Sequence, residues 1–226
     1  MSEAFDPVAF SGIVPVFPLP NVVLFPGMFL PLHVFEPRYR KMTADALAGE
    51  RLIAMALLKP GWEKEYAGSP PIHPILGVGK IVEDSKLEDG RYNLILFGLT
   101  RVRVLEEAGT GPYRRARVEI LRDREAEGHD ADRKRRTLLA LYTQLMKDLA
   151  QGAVPLPPED VPLGMLCDLV ASLMSFGPAV KQGLLEELDV AARCNRLLER
   201  LEGLNTSRPE DPSRRKRGWP MGPSLN

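Results

Sequence analysis

The stretch from Val14 to Arg40, VPVFPLPNVVLFPGMFLPLHVFEPRYR, limits what this chain can fold into more than any other. It is the densest apolar segment of the protein, and prolines interrupt it at positions 15, 18, 20, 26, 31 and 37. Proline inside an α-helix removes a donor and clashes with the preceding turn, so the apolar residues between these prolines must be extended. Pro26-Gly27 has the chemistry of a tight turn, with proline presetting φ and glycine supplying φ > 0. The pattern predicts a strand near Val14–Phe17, an ordered crossing at Asn21–Phe25, a turn, and a second strand at Met28–Val34. A helix is expected to start at Glu36-Pro37, where a missing amide hydrogen costs nothing. An apolar segment this rigid belongs at the seam of a β-rich core.

Further along, Glu36–Ala48 spaces its apolar and small residues on one helical face, and Gly49 stands where a C′ glycine would end it. Leu52–Leu58 is an apolar run short enough for a buried strand. Residues 59–74, KPGWEKEYAGSPPIHP, form a long polar loop that still carries Trp62 and Tyr66. Ile75–Glu83 and Tyr92–Phe97 flank a charged turn ending in Asp89-Gly90, which is a hairpin signal. Thr100–Leu105 and Arg115–Leu121 alternate apolar and charged residues as half-exposed strands. Six or seven short strands without repeated βα units argue for an antiparallel or mixed barrel. Arg122–Arg136 reads as a charged link, and the pattern beyond it is helical. Stripes over 138–149, 163–174, 180–188 and 190–204 predict four amphipathic helices in a small bundle, with Asp189 capping the last.

The opening run, together with ILGVGKI, DGRYNLILFGLTRVRV and DLVASLMSFGPAVKQGLLEELDVAARCNRLLERL, resembles the Lon protease amino-terminal domain, the substrate-binding region in front of the ATPase. The likeness covers roughly Gly12 to Leu204 and is strongest to small proteins made of that domain alone. It implies an α+β fold, a barrel of the pseudouridine-synthase-associated (PUA-like) type followed by a helical bundle. The layout expected is a flexible lead-in at 1–11, a β-rich barrel at 12–122, a helical bundle at 123–205 and a disordered basic tail at 206–226. No ATPase or peptidase segment follows the last helix, so neither ATP hydrolysis nor peptide cleavage is expected.

Charge and composition narrow the function classes. Lysine plus arginine and aspartate plus glutamate both number 30, so no global field draws in nucleic acid or an anionic membrane. No apolar run approaches the roughly 18 residues of a membrane helix. The amino terminus lacks the positive flank and apolar block of a signal peptide, so a cytoplasmic location is expected, with Cys167 and Cys194 reduced and buried.

Catalytic chemistry finds little purchase. Gly77-Val78-Gly79-Lys80 suggests a phosphate loop, but position 74 is proline, Ile81 follows the lysine, and the run lies in a strand pattern. His33, His73 and His129 are scattered, and the two cysteines lack the paired spacing of a zinc site. No catalytic residue, metal or cofactor is therefore expected.

Binding residues are better supported. Trp62 and Tyr66 are large aromatics in a hydrophilic loop, fit either to anchor a partner or to fold back and plug the barrel. Arg38 sits on the first helix beside His33 and Phe35, on what is either a solvated face or part of a contact surface. Arg101, Arg103, Arg114, Arg115 and Arg117 read as outward rows on neighbouring strands, either a nucleic-acid footprint or, given Glu106, Glu107 and Glu119, salt-bridged faces. The resemblance implies a non-catalytic module that binds unfolded or extended polypeptide, or serves a separate ATPase or protease as an interaction subunit. The alternative is a nucleic-acid-binding barrel using the basic strands and the Arg214–Arg217 run of the tail. The sequence leaves the oligomeric state open.

Overall fold

The computed structural model describes residues 10–65, 68–109, 111–149, 157 and 160–206. The tail beyond Thr206, nearly all of the lead-in, and Tyr66 lie outside these residues. The fold is α+β. Its strands are β1 (Ile13–Leu19), β2 (Phe29–Val34), β3 (Leu52–Leu57), β4 (Ile75–Lys86), β5 (Tyr92–Glu107) and β6 (Arg114–Leu121), with α1 (Pro37–Ala48) between β2 and β3. Four helices follow: α2 (Gly128–Leu149), α3 (Leu163–Leu173), α4 (Pro178–Glu186) and α5 (Val190–Thr206).

Strand pairing runs β5–β4–β3–β1–β6 and returns to β5, so the sheet closes on itself; β2 hangs on the outside of β5. Among these six strands the β1–β3 pair alone is parallel. The prolines of β1 fit this arrangement because each has a neighbour on one side only. Pro15 lies opposite Arg115 of β6 and Pro18 opposite Ala56 of β3, so each nitrogen that lacks a hydrogen can face the unpaired side. Small and branched side chains fill the interior, among them Val14, Val16, Ala54, Ala56, Val78 and Val102. Residues 52–57 form an unbroken apolar run because β3 is buried on both faces. Leu52, Ala54 and Ala56 point inward, while Ile53 and Met55 pack outside with Tyr39 and Met42 of α1.

The crossing at Asn21–Phe25 lies against β4 and β5, and three glycines make room for it. A Cβ on Gly77 would strike the Leu24 carbonyl, one on Gly98 the Phe25 carbonyl, and one on Gly79 the Leu24 side chain. Leu24 then enters the core under α1, whereas Phe25 enters the core of the helices with Leu138, Leu166, Val170 and Leu197.

Several expectations need correction. Tyr92–Phe97 and Thr100–Leu105 are one strand of 16 residues, β5, which continues through Gly98 to pair with β2, β4 and β6. Helix α2 begins at Gly128, within the supposed link, where Asp130 accepts from Arg133 and Lys134 at 2.6 Å each. Gly49 does cap α1, donating to the Ala46 carbonyl, but its φ is −116°; the left-handed conformation falls instead to Arg51, at φ 60°.

The largest departure is Arg101. It does alternate with Val102, but its outward side is covered by helices and is only 3% exposed. Its Nη2 donates to Asp168 of α3 at 2.5 Å and its Nε to the Leu185 carbonyl at 2.9 Å. Arg193 of α5, fully buried, reaches Asp123 with both terminal nitrogens and the Glu187 carbonyl at 2.7 Å. Two arginines and two aspartates thus join the strands, the link and the helices.

Candidate functional site

The structure separates the residues that the sequence singles out. His33 is the penultimate residue of β2 and Phe35 lies just past its end, 60% exposed, with the two rings stacked at 6.2 Å. Arg91 donates to His33 Nε2 at 3.2 Å, which leaves the Nδ1 hydrogen to bond Asn93 Oδ1 at 2.7 Å. Arg38 occupies the first turn of α1, 3.0 Å from Glu36 and with its guanidinium 4.6 Å over the Tyr39 ring. Trp62 is half-buried in a short 3₁₀ turn, Trp62–Glu65, within the β3–β4 loop.

Two concavities are nearby. One, of about 470 Å³, runs along β2 and the β4–β5 hairpin; Leu32, His33, Glu83, Asp84, Leu94 and Ile95 are among the residues that line it. The other, of about 500 Å³, brings together the start of α1, the ends of β1 and β3, residues 68–70 and the β5–β6 connection. Of the residues chosen from sequence, the second contains Arg38 and the first His33.

Arg114 ties the second groove together. Its Nη1 donates to the Pro70 carbonyl at 2.6 Å and its Nη2 bonds Glu107, so the β3–β4 loop is pinned to the β5–β6 hairpin. Tyr113 donates to Asp45 Oδ2 at 2.9 Å, while Lys41 holds the other oxygen at 2.6 Å. The Lys41 bond, then the Tyr113 bond, hold the Asp45 carboxyl below the usual carboxylate value; burial and the Asp45 charge raise the Tyr113 hydroxyl. Sequence alternation places Arg114 and Arg115 on a strand but cannot indicate that one braces a distant loop.

Among the described residues, neither concavity assembles a nucleophile with a base. Gly77-Val78-Gly79-Lys80 lies within β4, paired to β3 and β5, and is not a phosphate loop. His73 bonds Glu186 at 3.0 Å. Cys167 and Cys194 are free thiols, fully buried and hydrogen-bonded to each other; that hydrogen bond, with burial, drives the Cys167 thiol well up. Among the described residues no three His, Cys, Asp or Glu side chains cluster to hold a metal. No helix among those residues is long and apolar enough to cross a membrane.

The strand faces offered for nucleic acid are largely neutralised. Arg101 is buried, Arg103 pairs with Glu119 at 2.5 Å, Arg117 pairs with Glu106 at 2.8 Å, and Arg114 with Glu107. Comparison with known proteins then decides the family: the pattern of the ATP-dependent protease La (LON) substrate-binding domain matches residues 13–203. This chain belongs to the LON substrate-binding domain family.

Individual relatives of the Lon domain agree. A Lon protease of Anaeromyxobacter dehalogenans is 31% identical over 196 residues, 84% of this chain and 23% of that protein. Lon protease 2 of Sorangium cellulosum is 32% identical over 207 residues, 87% of this chain and 25% of that protein. The chain therefore spans about a quarter of the length of the curated relatives it matches. Among solved structures, a Lon N-terminal domain protein from Xanthomonas campestris superposes with a TM-score of 0.59 at 23% identity, covering 87% of this chain and 99% of that one. The N-terminal domain of a Mycobacterium avium complex Lon protease gives 0.58 at 20% identity, covering 84% and 98%. Identities this low speak for the fold alone.

Proposed function

We propose that this Lon domain is a non-catalytic recognition module that holds unfolded or extended polypeptide. The observation that carries the reading is the pair of large apolar rings at the two ends of β2, the strand that pairs on one side only: Phe29 opens it and Phe35 follows it. Phe29 is 67% and Phe35 60% exposed, far more than a ring serving only the core would be. Phe29 also lies 5.0 Å from the Phe97 ring of β5, which widens the patch. Backbone pairing along β2 would add little. Pro31 has no amide hydrogen, and in an edge strand such a residue sits where its nitrogen faces away from the sheet. Recognition would therefore rest on side chains rather than on strand addition and would tolerate varied sequences.

In this reading Trp62, Tyr66, His33, Phe35 and Arg38 contribute to the contact surface, and the residues fall into a barrel at 12–122 and a bundle at 123–205. The module works in the cytoplasm, alone or beside a separate ATPase or protease. The ion pairing on β5 and β6 disfavours a nucleic-acid-binding role.

The test is fluorescence anisotropy with several reduced, alkylated model proteins. Saturable binding is expected, and Phe35→Ala or the double change Trp62→Ala with Tyr66→Ala should weaken it about five- to tenfold, as for a buried aromatic anchor. Absence of saturable binding to every unfolded substrate rejects the reading.

A further inference from the structure

The 500 Å³ groove has a charge imbalance that the recognition reading does not use. Three arginines line it, Arg38, Arg114 and Arg115, against one carboxylate, Glu107. Arg114 is matched by Glu107 and Arg38 by Glu36. The nearest remaining acid, Asp45, is already held by Lys41 and Tyr113. Arg115 is exposed on β6, opposite Pro15; its charge helps to lower the Asp45 carboxyl, but no described carboxylate forms an ion pair with it. The groove thus carries one guanidinium charge in excess, beside the exposed ring of Pro112, while Pro18, Leu58 and Pro70 in its lining are buried.

We propose that this groove seats an acidic side chain of an extended polypeptide, with Arg115 as the pairing cation and the exposed Pro112 ring against an apolar residue that flanks it. The inference rests on the recognition reading and names its preferred substrate. A guanidinium offers a planar fork of donors that matches a carboxylate. A single surplus charge suits one carboxylate; a phosphate backbone would need a row of unpaired cations. A lysine-rich segment would be repelled. The pinning of the 68–70 loop by Arg114 keeps the lining in place before a ligand arrives, which reduces the ordering cost of binding.

The test uses three amidated nonapeptides with the same apolar frame and a central Glu, Gln or Lys, titrated by fluorescence anisotropy against the full chain. The Glu peptide should bind about fivefold tighter than the Gln peptide, the scale of a partly exposed charged contact, and the Lys peptide most weakly. The preference should shrink as salt is raised. Arg115→Glu should reverse the order of the Glu and Lys peptides, with folding checked by circular dichroism. Arg117→Glu, on the same strand but outside the groove, should leave the preference intact. Equal binding of the Glu and Gln peptides, or a preference that survives Arg115→Glu, overturns this inference and leaves polypeptide recognition standing. If no peptide binds, the inference fails, and the unfolded proteins decide the recognition reading separately.

Discussion

Arg101 and Arg193 lie almost wholly out of water, and two carboxylates hold both in place. Burial pushes the Asp168 carboxyl up, against the pull of Arg101 and Arg193. The arrangement is sensitive to losing one partner rather than to losing a pair. Asp168→Ala would leave two buried guanidinium groups with Asp123 alone, and such a break costs about 3–5 kcal/mol. Replacing Arg101 by Met and Asp168 by Leu together should cost less than the single change, because Arg193 keeps Asp123. Urea denaturation of the three proteins checks the order. On the surface, Asp45 makes a pH-dependent contribution of opposite character. Its folded-state pKa lies below the ordinary value of 3.8, so the stability it adds is present above that value and is lost as pH falls through the lower folded one. The gap in urea midpoint between the native chain and Asp45→Asn should therefore be larger at about pH 6 than at about pH 3. Arg101 also marks a limit of reading side chains from sequence. Alternation with Val102 fixes which way it points, but only the later helices decide whether that side meets water.

Among the elements, those with a clear apolar run or period were legible: β1, β3, α3 and α5, with Asp189 Oδ1 accepting from Ala192 at 2.9 Å as the cap of the last. The misread boundaries have two causes. The first turns of α2 carry charges and no apolar stripe, so their helicity depends on Asp130 bonding residues three and four positions on. Strand β5 passes through Gly98, a residue that weakens a strand and resembles a break until the chain lying across it is known. That contact can be tested. Gly98→Ala should cost at least about 1–3 kcal/mol, since the Phe25 carbonyl leaves no space for a methyl group. Gly183→Ala, in α4 with nothing within 4 Å, should instead stabilise by about 0.5–1 kcal/mol. Thermal unfolding of both variants supplies the comparison.

At the scale of the molecule, the α+β class and the family were open to the sequence, because a run such as PLPNVVLFPGM has few ways to be arranged. The grooves were not. The larger one draws on five separated stretches between Pro18 and Arg115, and no local pattern marks residues that meet only through tertiary packing. The crossing at Leu24-Phe25 has a consequence for any attempt to divide the protein. Two adjacent residues commit their side chains to different interiors, the first to the packing under α1 and the second to the helices more than a hundred residues downstream. Severing the polypeptide after the last strand would strip the helices of an aromatic ring they are built around and leave that ring stranded on the other fragment. Heritable change in one half is accordingly screened by the fit of the other.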